Sequence, residues 1–109
     1  LPADLAKGRR FEGPVVYVGD GDSLCVGLGR TPDRWVEVRL ADFYAPELSE
    51  PQGPAGKAIL QRLTKGRRVS CVADHRSYDR VVATCRLGGQ LLSDQLRRAG
   101  APQGGRGRR

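Results

Sequence analysis

The chain has 109 residues, 39% of them hydrophobic and 28% charged, with 19 Lys and Arg against 12 Asp and Glu. This length suits one domain and is too short for two separate cores. No apolar run reaches the roughly 18 residues that cross a bilayer, so we expect a soluble monomer that does not bind membranes. One His and three Cys without metal-binding spacing exclude a structural zinc site.

The net charge of +7 favours a polyanionic partner such as DNA or RNA. Most of this excess is C-terminal, because residues 1–96 carry 14 basic against 12 acidic side chains. Residues 102–109 form a Gly/Arg-rich tail that cannot bury a core, and we expect it to be disordered. The tail can be a solubilising end or a loose, salt-sensitive contact with phosphates.

The first half of the domain predicts three strands. Residues 14–18 are a β-branched run, and residues 24–28 alternate apolar with smaller side chains. The third strand covers residues 35–42, and its alternation places Glu37 and Arg39 on the polar face.

Three prolines keep residues 44–54 out of a helix, so we predict a loop there. Strands are predicted at residues 69–73 and 81–87, joined by a polar loop over residues 74–79. Helical spacing predicts two helices, whose apolar stripes consist of Ala55, Ala58, Ile59 and Leu63 in the first and Leu92, Leu96 and Ala99 in the second.

The predicted order is three strands, a helix, two strands and a second helix. This mainly β arrangement suits a five-stranded OB-fold barrel with two helices, a fold whose outer face commonly binds oligonucleotides. We therefore divide the chain into a leader (residues 1–13), an OB-fold domain (residues 14–101) and the tail (residues 102–109).

Three short motifs carry residues that can do chemistry. Asp20-Gly21-Asp22-Ser23 is most simply a hairpin turn, although two carboxylates about a glycine can also hold a hard cation. The segment from Arg39 to Glu47 ends in Ala-Pro-Glu, in which the proline fixes the backbone before a carboxylate.

The third motif is Tyr78-Asp79-Arg80. A tyrosine can stack on a base, and a guanidinium group matches two oxygens of a phosphate. Each motif taken alone is better explained by an ordinary turn, strand end or polar loop.

Together the motifs resemble the staphylococcal nuclease (thermonuclease-like) family. That family has an Asp-Gly-Asp-Thr turn, then Arg-Leu followed by Asp-(Thr/Ala)-Pro-Glu, then Tyr-Gly-Arg. The resemblance covers residues 14–101, and the matching residues are Asp20, Gly21, Asp22, Arg39, Leu40, Pro46, Glu47, Tyr78 and Arg80, with Ser23 in place of Thr.

The resemblance implies a calcium-assisted phosphodiesterase that cleaves DNA or RNA. Glu47 is then the general base that activates a water, while Arg39 and Arg80 bind the phosphate and stabilise developing charge. Tyr78 and Tyr44 are the candidate substrate-binding residues. The candidate metal ligands are Asp22, Asp20 and the backbone carbonyl of Ala45.

The chain departs from the family at Tyr44, which stands where the family has its second metal-binding Asp. Because calcium affinity depends on the number of charged oxygen ligands, we expect calcium binding to be weakened or absent. Asp42 is acidic but lies two residues earlier. Asp79 replaces the glycine of the third motif and places a negative charge beside Arg80.

Two function classes follow from these residues. The first is a nuclease with altered or no metal dependence, because Arg39, Glu47 and Arg80 are present. The second is a catalytically silent OB module that binds single-stranded nucleic acid, which Tyr44 and Asp79 favour.

Cys71 and Cys85 both fall on the inward phase of their strands, and Cys25 falls on the outward phase of its own. We expect two buried thiols, with a Cys71–Cys85 disulfide as the alternative. The family resemblance and this alternative favour a secreted or periplasmic location over a cytoplasmic one.

Overall fold

Six strands and two helices form within residues 5–104, the part of the chain that this computed structural model describes. A 3₁₀ turn at Pro32–Arg34 precedes the third strand. In chain order the elements are β1 (Arg10–Asp20), β2 (Ser23–Gly27), β3 (Trp35–Leu40), α1 (Gly53–Thr64), β4 (Arg68–Ser77), β5 (Arg80–Leu87), β6 (Gln90–Leu91) and α2 (Leu92–Arg98).

The sheet closes on itself. Its strand order is β3-β2-β1-β4-β5-β6, and β3 also pairs in parallel with β5, with Val38 opposite Val81 and Leu40 opposite Ala83. Strands β1 to β5 therefore form a closed barrel, to which β6 adds one short strand at β5. This confirms the prediction of a mainly β, five-stranded barrel with two helices, compatible with an OB-fold.

The barrel interior is filled by alternate side chains of the strands. In β3 the predicted alternation is confirmed, because Val36, Val38 and Leu40 are fully buried while Glu37 and Arg39 are half-buried on the other face. Burying one such side chain stabilises the fold by about 1.5 to 3 kcal/mol. The fully buried core includes Val26, Val36, Val38, Leu40, Leu60, Val81, Ala83, Leu92 and Leu96.

The helix α1 begins at Gly53, two residues before Ala55, where the predicted helical spacing starts. Pro54 lies in its first turn, where a missing N–H costs no hydrogen bond. The predicted stripe is only partly correct, since Ala55 and Ala58 are exposed. The buried positions are Gly53, Gly56, Leu60 and Thr64, because the helix backbone itself comes close to the β1–β2 turn at Gly56.

No helix of the described part of the chain combines the length and apolarity needed to span a bilayer.

The strand β4 is longer than predicted. Residues 74–77, which we expected in a polar loop, continue the pairing with β5 past an irregularity between Ala73 and His75. A strand whose side chains are mostly exposed can be polar throughout, so the apolar alternation that marks a strand is missing there. Similarly, β1 begins at Arg10, within the predicted leader, and Leu5 packs into the core.

The two ends of the described chain are held by backbone hydrogen bonds. Gly8 N–H donates to the Ala73 carbonyl at 2.8 Å, and Gly104 N–H donates to the Tyr44 carbonyl at 2.9 Å. The rest of the predicted tail, residues 105–109, lies outside the described residues.

A disulfide joins Cys71 in β4 to Cys85 in β5. The two residues are direct partners in the antiparallel register, and both side chains are buried, as their inward phase predicts. The expectation of two separate thiols is therefore wrong, because cross-strand pairing brings their Cα atoms to 4.0 Å. Cys25 is free and half-buried on the outer face.

We predict that the Cys71→Ala/Cys85→Ala double variant lowers the free energy of unfolding by about 3 kcal/mol. The bridge closes a loop with a sequence separation of 14, and a loop of that size constrains the unfolded chain by about this amount. Urea denaturation measures the change, with Cys25→Ala as the control. A titration that finds three free thiols in the denatured, unreduced protein contradicts the prediction, which requires one.

Candidate functional site

The Asp20-Gly21-Asp22-Ser23 segment forms a tightly hydrogen-bonded hairpin turn between β1 and β2. The Asp20 carboxylate accepts hydrogen bonds from the Ser23 hydroxyl at 2.8 Å and from the Asp22 N–H at 3.1 Å. The Ser23 hydroxyl in turn accepts one from the Asp20 N–H at 3.1 Å. The turn therefore uses its own side chains to satisfy its backbone, as Asp and Ser commonly do.

Asp22 connects this turn to the loop that carries the second motif. Its side chain is only 1% exposed, and its Oδ2 accepts a hydrogen bond from the Ala45 N–H at 3.0 Å. A Cβ at Gly21 would lie 2.6 Å from the Ala45 Cβ, so only glycine allows the turn and the loop to approach this closely. The first two predicted motifs are thus brought together, across 23 residues of sequence.

Arg39 lies beside the turn, at the end of β3. It is paired with Ser23 in the β2–β3 register, and its buried Nε has no hydrogen-bond partner within residues 5–104. Burial alone raises the pKa of the Asp20 carboxyl. The hydrogen bonds from Asp22 and Ser23, with the Arg39 charge, outweigh this effect and hold that pKa below its usual value of 3.8.

Arg80 meets the same face of β3 from the neighbouring strand. Its Nε lies 4.0 Å from Oε2 of Glu37, and the two side chains are 30% and 45% exposed. Glu37 and Arg39 are alternate residues of β3, so their side chains share a face. The two arginines therefore approach one face of the barrel, with a carboxylate beside them. Sequence reasoning placed Glu37 on this face but missed it as the partner of Arg80.

Glu47 projects from the loop that precedes α1. Its side chain is exposed, and its N–H donates to the Glu50 carboxylate at 2.7 Å. The loop is fixed by the start of the helix, since a Cβ at Gly53 would lie 2.0 Å from the Glu47 carbonyl oxygen. Glu47 thus has a constrained backbone and a side chain open to solvent.

The beginning of the same loop is tied to α2. The Ser93 hydroxyl donates to the Asp42 carboxylate at 2.6 Å, and the Arg97 guanidinium donates to the Asp42 carbonyl at 2.5 Å. Arg97 also lies over the Phe43 ring, 5.5 Å from its centroid. The Asp42 side chain is therefore directed to α2. It does not point to the position where the family has an Asp and this chain has Tyr44.

The carboxylates at this site are engaged by hydrogen bonds from the protein. Calcium takes six to eight oxygen ligands, commonly with several carboxylates. Asp20 and Asp22 both accept hydrogen bonds from the protein, and Asp42 is bound to Ser93. Among residues 5–104, no group of three His, Cys, Asp or Glu side chains could hold a metal ion.

Tyr78 occupies the tip of the β4–β5 hairpin. It is 95% exposed and has a φ of +60°, a left-handed conformation that is uncommon for a residue other than glycine. Tyr44, the other candidate substrate-binding residue, is half-buried beside Ala45. Of the two tyrosines, Tyr44 is the one next to Ala45, whose N–H is hydrogen-bonded to Asp22.

One hollow in the surface lies near the candidate residues, and a second lies away from them. One of about 410 Å³ adjoins the Glu47 loop and is lined in part by Pro46, Glu50 and Gln52. A larger groove of about 660 Å³ crosses β1, β4 and β5, and its lining contains none of the candidate residues. The candidate residues therefore lie away from this larger groove.

The fold defines the class of protein, a closed five-stranded β-barrel compatible with an OB-fold. One face of this barrel carries Arg39, Arg80 and the carboxylate of Glu37. No family model matches this chain, and no curated protein matches it.

We predict that Asp20→Asn removes a stabilisation that depends on pH. A carboxyl whose pKa is lower in the folded than in the unfolded state stabilises the fold above the unfolded pKa, and this contribution is lost as pH falls through the folded pKa. The difference in unfolding free energy between wild type and variant should be constant above about pH 5 and shrink below about pH 4.

Urea denaturation at a series of pH values measures this difference. Asp94→Asn, which removes an exposed carboxylate on α2, is the control for the loss of one surface charge. A difference between wild type and Asp20→Asn that persists unchanged at pH 2.5 or so contradicts the assignment.

Proposed function

We propose that this protein is a phosphodiesterase, resembling the staphylococcal nuclease family, that hydrolyses DNA or RNA without a calcium ion. The observation that carries the proposal is the convergence of the motifs. The Asp22–Ala45 hydrogen bond joins the first two, and the Arg80–Glu37 contact brings the arginine of the third to the face of β3 that carries Arg39.

The two arginines supply the binding site for the phosphate. Their guanidinium groups match the oxygens of a phosphodiester and stabilise the charge that develops on them in the transition state. The contact between Arg80 and Glu37 is partly exposed and 4.0 Å long, and such ion pairs contribute little. A phosphate can therefore displace Glu37 from Arg80 at small cost.

Glu47 supplies the base. Its carboxylate accepts a proton from a water molecule, and the resulting hydroxide attacks phosphorus in line with the leaving oxygen. The bond between phosphorus and that oxygen breaks, and the leaving oxygen takes a proton from solvent. The exposed side chain of Glu47 is open to both water and substrate.

The second candidate function is an OB module that binds single-stranded nucleic acid without cleaving it. It is favoured by Tyr44, which stands where the family has a metal-binding Asp, and by the carboxylate of Glu37 beside Arg80. Both functions involve DNA or RNA and differ only in the chemical step. The Cys71–Cys85 disulfide favours a secreted or periplasmic location for either function, because such bonds persist in oxidising compartments.

We predict that Glu47→Gln lowers kcat about 100-fold or more, because general bases contribute at least this factor. The assay follows cleavage of single-stranded DNA and RNA in calcium, in magnesium and in a chelator. The wild type should cleave in all three conditions. Glu12→Gln, which removes an exposed carboxylate paired with Arg68, should retain full activity.

The outcome separates the two functions. If the wild type binds the strands but cleaves them under none of the conditions, the hydrolase proposal is wrong and the binding module remains. If Glu47→Gln cleaves as fast as Glu12→Gln, Glu47 is not the base.

We also predict that Tyr44→Asp introduces calcium binding. The new carboxylate would stand next to Ala45, whose N–H is bonded to Asp22, and would add a charged oxygen ligand near a buried carboxylate. Isothermal titration calorimetry measures the affinity, with Tyr44→Asn as the uncharged control. Equal calcium affinity of the Asp and Asn variants would contradict the alignment of this loop with the family.

A further inference from the structure

A groove of about 600 Å³ runs between β1 and α1, apart from the residues discussed above. Its strand wall includes Val16 and Tyr17, and its helix wall includes Arg62 and Lys65. Both β1 side chains are exposed although they are adjacent in sequence, because a register shift interrupts the β1–β2 pairing between Val15 and Tyr17. Bulges of this kind commonly redirect side chains near functional sites.

Tyr17 gives the groove an aromatic surface. The side chain is 57% exposed, and the Lys57 ammonium lies 5.8 Å from the centroid of its ring. Packing beside a lysine holds the ring in place while a large part of it remains open to solvent. The ring thus combines an exposed aromatic surface with a cation that lies over it, and these two features match a base and its adjoining phosphate.

The charged side chains that line the groove, Arg62 and Lys65, are both basic. Residues 51–73 contain five Lys and Arg and no Asp or Glu, although the globular part of the chain is nearly neutral as a whole. One of the five, Arg68, is paired with Glu12 at 3.4 Å. Lys57, Arg62 and Lys65 remain beside the groove, so its charge is complementary to a polyanion.

A row of cross-strand partners connects the groove with the arginine face. Tyr17 is opposite Cys25 in the β1–β2 register, and Cys25 is opposite Glu37 in the β2–β3 register. A small hollow of about 70 Å³ is lined by all three residues. Since Glu37 contacts Arg80, a continuous surface leads from α1 across the barrel to the two arginines.

We propose that this groove is a binding track for single-stranded nucleic acid, which stacks a base on Tyr17 and places phosphates on Lys57, Arg62 and Lys65. The inference rests on the proposed function, because the track leads to the arginines that would hold the reacting phosphate. A single strand is the substrate it fits, since only unpaired bases expose a face to an aromatic ring. The track selects single strands over duplexes.

The test measures fluorescence anisotropy of labelled (dT)₁₂ and of a 12-base-pair duplex, with Glu47→Gln as the parent protein so that neither DNA is consumed. Tyr17→Ala should weaken binding of the single strand roughly fivefold or more, and Tyr17→Phe should bind like the parent. The double variant Arg62→Gln/Lys65→Gln should make the slope of log K against log salt less negative by about 1.4. Arg98→Gln on α2 is the control for the loss of one exposed charge.

A second measurement separates this inference from the proposed reaction. With Glu47 present, the wild type should hydrolyse bis(4-nitrophenyl) phosphate, an ester too small to reach the groove, so this assay reports on the reaction alone. If the wild type does not hydrolyse this ester while Tyr17→Ala binds (dT)₁₂ more weakly than the parent, the proposed reaction is wrong and the proposed track is retained.

Three results overturn the track. They are unchanged (dT)₁₂ affinity in both groove variants, tighter binding of the duplex than of the single strand, and displacement of (dT)₁₂ by vesicles containing phosphatidylserine but not by unlabelled single strands. The last result would assign the groove to an anionic lipid surface.

Discussion

The hydrogen bond from the Ala45 N–H to the buried carboxylate of Asp22 is the constraint on which the rest of the site depends. A carboxylate taken out of water is costly unless it is hydrogen-bonded, so this bond to Oδ2 helps to fix where the β1–β2 turn lies against the loop. The Asp22 carbonyl also accepts a hydrogen bond from the Leu40 N–H at 2.9 Å. The end of β3 is thereby anchored, and with it the position of Arg39.

The loop between β3 and α1 is held by protein contacts at three points. Its first residues are bound to α2 through Asp42, its middle to Asp22 through Ala45, and its end to the first turn of α1. Direct contacts between backbone and side chains thus join the turn to the loop.

Sequence alone predicted the barrel because its evidence is local, and the alternation of Val36, Val38 and Leu40 defines both a strand and its buried face. It failed where the deciding contact is remote. The buried face of α1 depends on the approach of Gly56 to Gly21, and the partner of Arg80 depends on the parallel pairing of β3 with β5. The grouping of the motifs followed from their resemblance to a family, and the orientation of Asp42 depends on Ser93.

The position of the disulfide has a consequence for proteolysis. Cys71 and Cys85 lie on either side of the Tyr78–Asp79 turn, which is the exposed tip of the β4–β5 hairpin and a natural point of protease attack. A chain cut at this tip leaves two fragments that stay covalently joined, with both strands still in register. The nicked protein would therefore migrate as one species until it is reduced, and its barrel would lose only a turn.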